Sequence, residues 1–492
     1  MTGWPAQPVI HEVDTWVWLA ELGPDLTLGT VPPEAWDALA LPGVDAVWLM
    51  GVWERSPAGL AIALRNEQLT SAFAGALPDL VQADVVGSPY CIRRYVVDAR
   101  LGGPAGLAVA RAELARRGVR LLLDYVPNHV APDHPWVRER PEVFVHGSVD
   151  DLAGQPDAFV EVDGQVLARG KDPYFPPWPD VVQLDAFSPR MRDATVETLE
   201  TIGDQCDGVR CDMAMLLLTE VFAKTWGDRV GSAPATEFWP EVLGRVRQRH
   251  PDMLFVAEAY WDLEWALQQQ GFDHCYDKRL YDRLAGEDVS SVRAHLRADI
   301  DYQRRLVRFL ENHDEPRAAA TLVPVERERA AAVVIATLPG ATLWHEGQFD
   351  GRRVQLPVFL GRRPVEPLDA GLRRFHLDLL AAVASSGMRA GQWQALDATG
   401  WPDNPSYRQV VAWCWWDGGR RHLVVVNLSA AVAQARVPVP WPDLQGRSWR
   451  LAPVLPGGTF ERAGDEMLDP GLFVSLDPWG WHVLAVEEAT AT

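Results

Sequence analysis

Val119-Arg-Leu-Leu-Leu-Asp124, Gly208-Val-Arg-Cys-Asp212, Met253-Leu-Phe-Val-Ala-Glu258 and Val307-Arg-Phe-Leu-Glu-Asn-His-Asp314 are four short apolar runs, each ending in a carboxylate. Runs of this length read as buried parallel strands, and the segments between them carry helical spacing. Together they predict an α/β fold, a (β/α)8 barrel whose acids gather at the C-terminal rim, where such barrels hold their chemistry. A lone strand-end Asp is commonly a helix cap. Four strand-end acids, two with His nearby and one with Arg210 two residues upstream, exceed what capping needs.

Working outward, Val9 to Trp18 and Gly43 to Met50 read as the first two strands, and Ala105 to Arg117 as the helix before the third. After His129 the periodicity is lost until about Ser188, far beyond an ordinary βα loop, so residues 130–186 are expected to form an inserted subdomain over the rim. Alternation then resumes through a weaker strand near Phe272–Tyr276 to a last strand at Thr342–His345, eight in all. The barrel is assigned residues 1–386. Residues 387–492 change to short strands separated by Gly, Pro and Asp turns and predict an antiparallel β-sandwich.

The formal charge of −21 argues against a nucleic-acid partner, whose phosphates an acidic surface repels. No apolar run is long enough to span a membrane. The first residues lack a basic and then apolar leader, and Cys91, Cys206, Cys211, Cys275 and Cys414 are widely spaced without a CxxC pair. Reduced thiols and a cytoplasmic location are the expectation. Nothing in the pattern speaks to oligomeric state. Most of the 22 Trp are expected to be packing, with Trp53, Trp178 and Trp261 the candidates for stacking on a sugar ring.

Two carboxyls on neighbouring strands suit cleavage of a glycosidic bond with retention, which needs one to attack and one to protonate at about 5–5.5 Å separation. Asp212 and Glu258 form that pair. Arg210 shares the parity of Asp212 and should lower its pKa, keeping a charged nucleophile, whereas Glu258 lies in an apolar stretch suited to a protonated acid.

Asp124-Tyr-Val-Pro-Asn-His129, Gly208 to Asp212, Val256-Ala-Glu258 and Asn312-His-Asp314 resemble, in order, the four sequence regions of the α-amylase family, glycoside hydrolase family 13. The resemblance extends from about Val9 to the C-terminus. It implies Asp212 as nucleophile, Glu258 as acid/base and Asp314 as the carboxylate that binds hydroxyls of the distorted sugar. It further implies Arg210, His129 and His313 around that ring, Tyr90 stacked beneath it and Asp124 supporting the Arg. No cofactor is expected. Asn128 resembles a calcium ligand of the family, yet several branches keep the Asn without the metal, and such a site needs about 6–8 oxygens.

Departures from the family pattern bear on the substrate. Endo-acting members carry Lys-His where this chain has Met215 and Leu216, and Cys91 stands where an acid often follows the stacking tyrosine. Gln183-Leu-Asp185 partly resembles a Gln-Pro-Asp motif of members acting on short α-glucosides. The expectation is a retaining α-glycosidase for short α-linked glucosides. The alternative is an α-glucosyl or α-glucan transferase with the same residues, and a third reading is a non-catalytic carbohydrate-binding or scaffold member.

Overall fold

The computed structural model describes residues 3–489. Eight strands, β1 (Val9–Asp14), β2 (Ala46–Met50), β3 (Arg120–Tyr125), β4 (Gly208–Cys211), β5 (Leu254–Ala257), β6 (His274–Tyr276), β7 (Leu306–Arg308) and β8 (Ala341–His345), form a closed barrel. Every neighbouring pair is parallel, and β1 closes the ring by pairing with both β2 and β8. The fold is the (β/α)8 barrel expected from the apolar runs, because strands covered by helices outside and packed inside bury both faces.

Alternation along each strand decides which residues reach the barrel axis. Ile10, Trp48, Leu122, Val256 and Val307 pack together in the inner core. Val13, Leu123, Val209, Cys211, Phe255 and Ala257 join the outer core beneath the helices. By the same parity Glu12, Asp124, Arg210 and, one residue past the strand ends, Asp212 and Glu258 point inward. Register partners place Arg210 beside Asp124 and Val256, and Glu12 beside Trp48 and His345.

The run Val307–Asp314 departs from a single strand: only Leu306–Arg308 pairs. Beyond it the chain turns on Asn312, whose Oδ1 accepts from the backbone N–H of Asp314 and of Glu315, both at 2.9 Å. This Asx turn brings Asp314 over the rim instead of along the sheet.

After β3 the chain enters the insertion, whose neck is the antiparallel pair His129–Val130 with Val182–Gln183. A hairpin, Phe159–Val162 with Gln165–Ala168, turns on Asp163 and Gly164, both at positive φ (49° and 77°), the Asp-Gly turn that suits strand twist. The barrel resumes with the helix Pro189–Gly203, whose N-cap Ser188 accepts from the Met191 N–H.

The C-terminal region supplies β9 (Gln392–Leu396), β10 (Val410–Asp417), β11 (Arg420–Asn427), β12 (Ala433–Val437), β13 (Ser448–Pro453), β14 (Phe460–Ala463), β15 (Leu472–Leu476) and β16 (Trp481–Glu488). Six form an antiparallel sheet in the order β9-β10-β11-β16-β13-β14, and β12 pairs with β15. Residues of both sheets share one apolar core. The indole N–H groups of Trp413 and Trp415 both donate to the carbonyl of Thr337, at 3.1 and 2.8 Å, tying this sheet to the helix before β8. Among the described residues no helix is long and apolar enough to cross a membrane.

Candidate active site

Arg210 is the centre of the inward-facing charge. It is 1% exposed, its Nη1 donates to Asp212 Oδ1 at 2.9 Å, and its Nη2 lies 2.9 Å from Glu258 Oε2. Asp314 and Asp124 stand at 3.9 and 4.0 Å from the same guanidinium. Trp48, Tyr90 and Tyr276 surround it with their rings, 5.3 to 5.6 Å from the guanidinium carbon, so the cation meets carboxylates and aromatic faces but little water.

Each acid is held by its own partners. Asp124 Oδ2 accepts from the Gly51 N–H at 3.1 Å. Glu258 Oε1 accepts from the Tyr260 hydroxyl at 2.8 Å, and Oε2 from the backbone N–H of Met213 at 2.6 Å. Met213 adopts φ 42°, a left-handed conformation rare for such a side chain, and in it the amide faces Glu258. His313 reaches Tyr90 Oη at 2.6 Å and Asp314 Oδ2 at 3.0 Å through Nε2, while its Nδ1 bonds Glu12 Oε1.

A cavity of about 340 Å³ opens above, within the range of small-ligand sites. Of the residues singled out from sequence, Tyr90, His129, Asp212, Glu258 and Asp314 line it, while Arg210, Asp124 and His313 lie buried beneath. Trp178 lines it beside His129, with ring centroids 5.2 Å apart. Trp53 instead is buried and donates to the Asp124 carbonyl, a packing role, and Trp261 packs edge-on against Tyr174. Met215 and Leu216 are buried in the core away from the cavity. Glu12, Asp180, Met213 and Tyr260 belong to the site without having been foreseen. Tyr260 stands two residues past Glu258, a usable signal; Asp180, in the insertion, offers none.

Burial and the neighbouring Glu258 push the Asp212 carboxyl up to about 8, against the pull of Arg210. This reverses the expectation that Arg210 would hold Asp212 low: one guanidinium is divided among several acids and cannot offset the desolvation of each. Burial likewise raises Asp124 to about 6 despite Arg210, and lowers His129 to about 4, leaving it neutral. Burial would also raise Asp314, but His313 and Arg210 override it and hold that carboxyl below its ordinary value.

The residues at the insertion neck do not fit a bound calcium. The Nε2 of Gln183 donates to Asn128 Oδ1, to the Asn128 carbonyl and to the Leu184 carbonyl at 2.9, 2.9 and 3.0 Å. The oxygens a hard cation would need are turned onto an amide. Among the described residues no group of three or more His, Cys, Asp or Glu is gathered in a way that could hold a metal ion.

No family model matches the chain. Over 279 residues, 54% of this chain, it is 27% identical to α-amylase MalA of Haloarcula japonica, and over 212 residues, 42% of the chain, 26% identical to an α-1,4-glucan:maltose-1-phosphate maltosyltransferase of Myxococcus xanthus. The matches span 36% and 27% of those two relatives. Among solved structures, the maltogenic α-amylase AmyB of Thermotoga neapolitana aligns with TM-score 0.70 and 17% identity, over 98% of this chain and 99% of that one. An α-amylase of Lactobacillus plantarum aligns with TM-score 0.69 and 19% identity over the same shares.

A carboxyl raised in the folded state keeps a proton that the unfolded chain has already lost, so unfolding releases that proton and stability falls as pH rises through the window. For Asp212 the window runs from about 4 to about 8. Asp212→Asn removes this loss: its melting temperature relative to wild type should rise steadily from pH 4 to pH 8. A difference that stays flat or shrinks across that range contradicts the assignment of the raised carboxyl.

Proposed function

We infer that this chain, a member of the α-amylase family, is a retaining glycosidase that acts on short α-linked glucosides through a covalent glycosyl-enzyme intermediate. The observation that carries the reading is the pair Asp212 and Glu258, each 2.9 Å from a terminal nitrogen of one buried guanidinium at a ligand-sized cavity. In this mechanism Asp212 attacks the anomeric carbon while Glu258 protonates the departing glycosidic oxygen. Glu258 then takes a proton from the incoming water, which displaces Asp212 and restores the acid. Attack requires an ionised Asp212 and a proton on Glu258, and Arg210, touching both, compensates charge in either arrangement. Tyr90 offers a flat face to the ring, and Asp314, kept ionised by His313, accepts from its hydroxyls and stabilises the oxocarbenium-like transition state.

Short substrates are favoured by the size of the cavity and by the burial of Met215 and Leu216, which leaves no polar pair to follow a long glucan. The transfer reading has its own support in the exposed rings of Tyr174 and Phe175 at 57% and 65%, with Tyr174 against Trp261, an apolar rim on which an acceptor sugar could stack. A reducing, cytoplasmic setting is supported by five cysteines that are all buried and unpaired. A site that works without a metal is supported by the Gln183 clasp.

With maltotriose, glucose and maltose without any longer product support hydrolysis, and oligosaccharides longer than maltotriose support transfer. Glu258→Gln should lower kcat/KM on maltose by about 100-fold or more while an activated aryl α-glucoside, whose leaving group needs little protonation, suffers far less. Equal losses on both substrates argue against Glu258 as the acid. Maltotriose should be turned over at least as well as starch per molecule, and rapid internal cutting of starch would refute the short-substrate reading. Neither EDTA nor dithiothreitol should lower the melting temperature or the activity; a drop reversed by calcium would refute the metal-free clasp, and a drop in dithiothreitol would refute the reduced-thiol setting.

A further inference from the structure

We propose that Glu12 is a positioning residue which, acting through His313, fixes the orientation and charge of Asp314 in the glycosidase site described above. Glu12 is fully buried in β1, 301 residues from its partner, and neighbours on the strand such as Ile10 and Val13 are purely apolar packing. Its Oε1 accepts a hydrogen bond from Nδ1–H of His313, while its Oε2 is buried with no hydrogen-bond partner. A carboxylate kept for stability alone would have both oxygens satisfied, because an unpaired buried charge is costly. His345 and Arg210 also face Glu12, but His313 is the group it hydrogen-bonds, so its negative charge acts most directly on that imidazole.

Neutral imidazole carries one N–H, and an acceptor-only Glu12 would claim it. Nε2 would then present a lone pair to Asp314 Oδ2, 3.0 Å away, and repel it. Imidazolium donates from both nitrogens, so Glu12 on one side leaves Nε2–H to be shared by Tyr90 Oη at 2.6 Å and Asp314 Oδ2 at 3.0 Å. The second contact anchors one oxygen of a carboxylate whose side chain is 42% exposed toward the cavity, and leaves the other for sugar hydroxyls. The ring cannot swing away: Trp48 stands edge-on to it at 5.5 Å and Tyr90 stacks on it at 5.3 Å.

The charged and titratable groups around His313 are Glu12 and Asp14 from β1, Asp124 from β3, Arg210 from β4, which shares Asp314 Oδ2 with it, His345 from β8, Tyr90 and the adjacent Asp314. Burial pulls His313 down, but Asp314 and Glu12 outweigh it and hold the imidazole well above its usual value. Removing the charge of Glu12 takes away one of these two supports. His313 then loses its proton at lower pH, and Asp314 loses a cationic partner in the same range.

The test compares wild type, Glu12→Gln and Glu12→Asp by the pH profile of kcat/KM on an activated aryl α-glucoside. It pairs this with nitrogen NMR of histidine-labelled protein, assigned with His313→Asn. For Glu12→Gln the deficit should grow from a few-fold near pH 5 to about tenfold or more near pH 8, as expected for an imidazole brought back toward its ordinary range. At pH 8, His313 should be imidazolium in wild type and in Glu12→Asp, but neutral in Glu12→Gln. The proposal is overturned if His313 remains imidazolium in Glu12→Gln, or if that variant loses activity equally at every pH, as a merely structural residue would. The NMR arm reads the coupling whether or not an α-glucoside is turned over, so an inert wild type would sink the proposed function and leave this test decisive.

Discussion

One buried cation governs the rest of the site. Arg210 lies within 4.0 Å of Asp124, Asp212, Glu258 and Asp314, and a guanidinium taken so far out of water is tolerable only when closely paired. The dependence runs both ways, since four carboxyls could not be held around one cavity without a cation among them. Asp124 comes from β3, Arg210 and Asp212 from β4, Glu258 from β5 and Asp314 from the turn after β7. The charge cluster therefore exists only in the closed barrel. A planar group with two terminal nitrogens suits the task better than an ammonium, because it touches two carboxyls at once from a fixed geometry.

That economy has a consequence for proton placement. A single positive charge divided among several acids leaves Asp212 with a raised carboxyl, while Asp314, given His313 as a second cation, stays low. The two acids differ in their surroundings more than in their exposure to Arg210. Such separation of neighbouring carboxyls is what acid/base chemistry at one ring demands. It is produced by pairing Asp314 with a histidine that is itself held by Glu12.

Much of this arrangement is legible in the sequence because strand parity links a residue's position to the direction it faces. Asp124, Arg210, Asp212 and Glu258 could be placed from their spacing at strand ends, and the structure puts them on the barrel axis. Asp314 was legible as a rim acid, but not the way it gets there, since the apolar run outlasts the paired strand and the Asn312 turn completes the path. Glu12 was hidden for a different reason: its partner is 301 residues away, and one acid inside a strand carries no local mark of its function. The Asp212 shift was misjudged because counting the acids around Arg210 requires three dimensions. Asn128 supplies at most one side-chain oxygen to a calcium site, and its partner Gln183 lies 55 residues on, where no spacing marks it. The barrel by itself does not select a reaction, and the relatives matched in sequence are named as an amylase and as a maltosyltransferase.

The central claim is that Asp212 forms a covalent bond to the sugar during turnover. Treating the protein with a fluorinated α-glucosyl fluoride that slows release of the intermediate, followed by proteolysis and mass analysis, tests it directly. The account predicts one glycosyl addition, on the peptide containing Asp212, absent in Asp212→Asn, together with the α-anomer as the first product from an unmodified α-glucoside. No adduct, with the β-anomer appearing first, would mean inversion and contradict the account.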